Sequence, residues 1–197
     1  SEMCIRDSSN YLIKMTDQEL GDDESHAVTE LLNFVTEYER IGDYAVNIME
    51  KAQELEEKEA SFSETAKNEL GILDAALENI LTLTVDAFEN EDVRMARQVE
   101  PLEEIIDILV ERLRDQHIKR LKDGACSIDT GVVFLDVLNN VERISDHCSN
   151  VAARLVGMEA GEDYDSHTLK NMMHHNPSKD YMLSLIHISE PTRPLYI

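Results

Sequence analysis

Glu142, Asp146 and Asn150 follow one another at i, i+4 and i+8, the spacing that stacks side chains on one face of an α-helix. Glu39, Asp43 and Asn47 repeat the pattern, and Glu103, Asp107 and Glu111 form a third column with Glu100 and Glu104 beside it. All are oxygen ligands. Carboxylates stacked this densely repel one another, and a hard cation relieves the repulsion: Mg²⁺, Ca²⁺ or Mn²⁺, or iron in a carboxylate-rich cluster. If the helices bearing the first and third columns are antiparallel neighbours, Glu103, Asp107, Glu142 and Asp146 converge on such an ion, with Asn150 as a neutral outer ligand. The same residues also suit a solvated helix face opposite an apolar stripe. Arg40 and Arg143, each directly after a motif Glu, offer ion pairing to a neighbouring helix instead.

Columns of this kind need long helices, and the composition calls for them. The 197 residues are 42% hydrophobic and 30% charged, with 4 Pro, 7 Gly, no Trp and 5% aromatic residues, which predicts an all-α antiparallel bundle rather than a turn-rich β fold. One helix is predicted from about residue 24 to 57, opened by Asp22-Asp23-Glu24. A second is opened by a capping box of Ser61 and Glu64. Asn90-Glu91-Asp92 caps a third, kinked at Pro101 and ending at Asp123-Gly124. Ser127 caps a fourth that stops near Gly157. Residues 158–182 lose the periodicity and read as a mobile tail.

Lys+Arg number 18 against 41 Asp+Glu, a formal charge of −23, which excludes the commonest nucleic-acid and anionic-lipid readings by repulsion from phosphate. No apolar run reaches the roughly 20 residues of a membrane span, so no direct membrane insertion is expected. Cys4, Cys126 and Cys148 make neither a disulfide framework nor a CxxC site. Both ends break the pattern. Met3 to Ser8 can be encoded by ATG TGT ATA AGA GAC AGC and Leu183 to Ile188 by CTG TCT CTT ATA CAC ATC, one short element read from opposite strands. Residues 1–8 and 183–197 therefore read as scars of a sequencing-library adapter, dispensable to the fold.

Glu39-Arg40-Ile41-Gly42-Asp43-Tyr44-Ala45-Val46-Asn47-Ile48 aligns with Glu142-Arg143-Ile144-Ser145-Asp146-His147-Cys148-Ser149-Asn150-Val151 at an offset of 103 residues. This internal repeat divides the chain into residues 9–60, the C-terminal part of a first helical unit, and residues 61–157, a complete second three-helix unit. Ile41 and Ile144 should then be equivalent. The paired motifs, with Val99-Glu100-Pro101-Leu102-Glu103-Glu104 between them, resemble the PhoU family of phosphate-regulatory proteins, and most nearly the PhoU-like C-terminal cytosolic domain of bacterial sodium/phosphate cotransporters. The resemblance implies two tandem three-helix bundles, here with the first truncated, and metal bound through E-x-x-x-D at Glu39/Asp43, Glu103/Asp107 and Glu142/Asp146. It implies a non-enzymatic regulator on the cytoplasmic face of the bacterial inner membrane. The partner is either a phosphate transporter membrane domain in cis, or a phosphate ABC transporter and its sensor kinase in trans; a homo-dimer also suits it.

Other candidates carry less. His147 stands where the first motif has Tyr44 and reads as a surface residue. Cys148 falls in the apolar stripe and reads as a core thiol. Cys126, at a helix start, has Asp123 and Asp129 nearby, which work against an activated thiolate. His174-His175 lie in the polar tail. A carboxylate-bridged dinuclear enzyme would add Glu-x-x-His pairs to the motif helices, and these carry none. A ligand-free helical adaptor is the remaining alternative.

Overall fold

The computed structural model describes residues 2–16 and 20–160. They form α1 (Glu2–Thr16), α2 (Asp22–Glu57), α3 (Glu64–Glu89), α4 (Val93–Ala96), α5 (Val99–Lys122) and α6 (Ile128–Ala160), with no strand among the described residues. The fold is the expected all-α bundle. Residues 161–197, which include most of the expected tail and the C-terminal adapter segment, lie outside the described residues. Residues 2–8, expected to be adapter-derived, fall within α1, and Asp7 and Ser8 line a groove beside Tyr11, Leu31, Tyr38 and Phe88.

Local chemistry sets the helix ends. The Glu24 carboxylate accepts the Gly21 N–H at 3.1 Å. Asp92 caps α4 by accepting from the N–H groups of Arg94 and Met95 at 2.8 and 3.2 Å, and Ser127 accepts from Thr130 N–H at 3.2 Å before α6. Two expectations shift. The cap of α3 is Ser63, accepting from Ala66 N–H at 3.2 Å, not Ser61. The expected third helix is not kinked at Pro101 but divided before it, into α4 and α5. Pro101 then falls in the first turn of α5, where a missing N–H leaves no bond unmade. α6 runs three residues past Gly157, which is buried inside it.

α6 is the central element: it packs against α2, α3, α4 and α5, while α1 packs on α2. Leu138, Cys148, Val151 and Ala152 on α6 are fully buried, as are Ile80 on α3 and Ile106 on α5. Small residues let neighbours approach on a second side, with Ser145 and Ser149 also at 0% exposure. Ile144 is 2% exposed, whereas its repeat counterpart Ile41 is only half-buried. Among the described residues α2 packs along α1 and α6 and meets α3 at Phe88, whereas α6 is surrounded, and this accounts for the difference.

Candidate functional site

α5 and α6, which carry two of the acidic columns, pack antiparallel. Glu100 lies against Ser149, whose hydroxyl donates to its carboxylate, and Arg114 lies against Asn139 and Glu142. Glu103 and Asp107 fall between those points on α5, as Asp146 does on α6. The columns are not uniform in environment. Glu103 is buried at 7% exposure, Asp107 and Glu111 are exposed, and Glu142, Asp146 and Asn150 are intermediate. On α2, Glu39, Asp43 and Asn47 are all exposed.

Guanidinium groups sit on the α6 carboxylates. Arg114 Nη2 donates to Glu142 Oε2 and to Asn139 Oδ1, each at 3.0 Å. Arg143 lies 3.8 Å from Asp146 along the same helix. Among the described residues Arg114, Arg120 and Arg154 pair between helices, and pairing of this kind competes with a cation. Among the described residues no group of three or more His, Cys, Asp or Glu is placed to hold a metal ion.

The structure also builds polar sites that the spacing argument passed over. His147 is not a surface residue: it is 6% exposed, its Nδ1 is 2.7 Å from Glu37 Oε2, and it stacks on Tyr44. Asn150 Nδ2 donates to the same Glu37 oxygen at 3.2 Å. Burial alone would raise the Glu37 pKa, but the bonds from His147 and Asn150, with the charges of His147 and Arg154, outweigh it and hold the carboxyl below its ordinary value. In the second unit Arg120 grips Glu69 through two bonds of 2.7 Å, and its guanidinium lies 5.5 Å from the centroid of the Phe134 ring. His117, 3% exposed, stacks on that ring with centroids 4.8 Å apart. Burial, then the charge of Arg120, pushes its pKa down against the opposing Glu69. Cys148 is the core thiol expected, its pKa raised by burial to about 12.

One signal in the sequence marks these groups. Glu69 stands in the stripe Ala66, Leu73, Ala76, Ile80, and His117 follows Ile106, Val110 and Leu113 at helical spacing. Glu37 lies three residues after Phe34 and four before Ile41. A titratable residue on an apolar stripe is carried into the interior with it, as Glu103 is ahead of Ile106 and Val110, whereas Asp107 and Glu111 lie on another face.

Comparison with known proteins follows the same outline. The model of the PhoU domain matches residues 5–52 and 73–155. The chain belongs to the PhoU domain family. That PhoU match contains both copies of the repeated motif, begins at residue 5, inside the segment expected to be adapter-derived, and leaves out the α2–α3 connection. The PhoU homolog 1 of Thermotoga maritima, a phosphate-specific transport system accessory protein, is 27% identical over 133 residues, 68% of this chain and 56% of that protein. The corresponding PhoU homolog of Streptococcus pneumoniae is 28% identical over 138 residues, 70% of this chain and 62% of its own length. An uncharacterized protein of Deinococcus radiodurans is 30% identical over 118 residues, 59% of this chain and 42% of that one. The chain thus spans little more than half the length of the first two relatives. No solved structure matches it. None of the described helices is long and apolar enough to cross a membrane.

Proposed function

We propose that this PhoU-family chain is a regulator of a phosphate-specific transport system, acting in trans by contact with the transporter and its sensor kinase and catalysing nothing itself. The observation that carries the reading is the family match across both motif copies, in company with relatives named as accessory proteins of such systems. Those names favour the accessory protein, the alternative reading of the motifs, over the reading the motifs first suggested, a cotransporter's cytosolic domain. A cytoplasmic location follows from the same reading. The test is expression in a bacterium whose own PhoU-type gene is deleted, with phosphate uptake and a phosphate-starvation reporter measured together. Repression of the reporter in phosphate-replete medium supports the proposal; a reporter left fully derepressed by a stably expressed protein refutes it.

A cation at Glu103, Asp107, Glu142 and Asp146, with Asn150, and at Glu39, Asp43 and Asn47, is a subordinate proposal, supported by the family likeness and the antiparallel packing of α5 and α6. It requires Arg114 to release Glu142. Calorimetry with chelator and then with Mn²⁺, Mg²⁺, Ca²⁺ or iron tests it. A ligand that binds the folded state alone stabilises by about 2.7 kcal/mol at a hundredfold excess over Kd, and that gain should vanish in Asp107→Asn with Asp146→Asn. A parent indifferent to every ion sinks the proposal and leaves the ion pairs as the whole account of these residues.

A further inference from the structure

The 103-residue repeat makes Glu37 equivalent to Asn140, Tyr44 to His147 and Asn47 to Asn150. At the seam between α2 and α6 these equivalences become contacts. Asn150 Nδ2 donates to Glu37 Oε2 at 3.2 Å, and the counterpart pair is formed too, with Asn47 Nδ2 donating to Asn140 Oδ1 at 3.3 Å. Between the two pairs, Tyr44 and His147 stack on each other, their centroids 5.6 Å apart and their planes 17° from parallel. A residue that touches its own repeat counterpart marks a local two-fold relation, and the flanking pairs obey it.

We propose that the sixth and ninth positions of the E-R-I-x-D-x-x-x-N motif form a two-fold latch across α2 and α6, fixing the register of the two units and hence the spacing of their acidic columns. The two ends of the seam also carry ion pairs, Lys51–Asp136 at 3.0 Å and Arg154–Glu30 at 3.5 Å, made by long side chains that can follow a slide, and its apolar contacts tolerate sliding. A slip of one helical turn, about 5.4 Å, breaks both asparagine bonds and unstacks the rings. It also strands Glu37, 8% exposed, without the donors that make its burial tolerable. Buried polar groups that must meet their partners are an established way of specifying register. Glu39 and Asp43 leave α2, and Glu142 and Asp146 leave α6, within about two turns of the latch, so its register sets where they stand. The assignment is independent of any transport role and gives Asn47 and Asn150 a part that needs no cation.

The test is a set of thermal melts on the full chain. Asn150→Asp sets a second carboxylate against Glu37 and should lower Tm by about 3–6 °C. Adding Glu37→Gln exchanges donor and acceptor across the seam and should recover most of that loss. Asn47→Ala and Asn150→Ala are milder variants that serve should Asn150→Asp not fold. Their residues do not touch, yet the double variant should lose less than the sum of the singles, because a latch opened at one end no longer holds the other. Additive losses in the alanine pair, or a Glu37→Gln combination no more stable than Asn150→Asp alone, overturn the proposal.

Discussion

Glu69→Ala isolates a charge inside the second unit, and its cost can be worked from the geometry. Glu69 and Arg120 are 12% and 16% exposed at their side chains and share two bonds of 2.7 Å. Removing one partner of a buried pair leaves the other charge desolvated and costs about 3–5 kcal/mol. The residual exposure puts this pair at the low end, about 3 kcal/mol, and a chain of this length loses about 2–4 °C of Tm per kcal/mol. The expected fall is therefore about 6–12 °C. Replacing both partners by residues of similar volume, Glu69→Met with Arg120→Met, removes the stranded charge and should return Tm to within a few degrees of the parent. There is a further signature in pH. Glu69 is the group that opposes the downward push of Arg120 on the His117 pKa, so Glu69→Ala should steepen the loss of stability between pH 7 and 5. Calorimetric melts across that range on all three proteins measure both effects. A single variant within 2 °C of the parent, or a double variant as weak as the single, refutes the claim that a buried charge is at stake.

In the parent itself, His117 has its folded pKa depressed below the ordinary 6.5. Its contribution to stability is complete above that value and declines as pH falls through it, until the depressed folded pKa is reached; His117→Gln should flatten the corresponding part of the Tm-against-pH curve. Cys148 is fully buried and has its pKa raised to about 12. Maleimide at pH 7.5 should accordingly label Cys126 in the native protein and reach Cys148 only on denaturation, as peptide mass analysis can show. Glu59 and Glu91 both hold φ near +49°, in the left-handed region that favours glycine, and Glu91→Gly should raise Tm by about 1–3 °C because the relief of that strain exceeds the added chain entropy. An unchanged or lower Tm would show that the turn carries no strain.

Much of this fold can be read along the chain because its signals are local. The caps at Asp92 and Ser127 act within one turn, and the stripe through Ile106, Val110 and Leu113 names its own buried face. Where two local signals compete, the sequence alone does not choose. Ser61 and Ser63 both precede Glu64, and Pro101 fits a kinked helix or a new one equally well. The 103-residue repeat and the spacing of the acidic columns are properties of the sequence by itself, as is the family likeness they carry. What stands across from each residue is decided only by packing. The same i, i+4, i+8 spacing leaves Glu142 bonded to Arg114 and Asn150 to Glu37, partners 28 and 113 residues away. It also left His147 looking like a surface group, although α2 closes over it with Tyr44 and Glu37. Helical periodicity fixes the direction of a side chain about its own axis, but the neighbour it meets depends on how two axes are set together, and that setting is the sum of contacts no single segment contains.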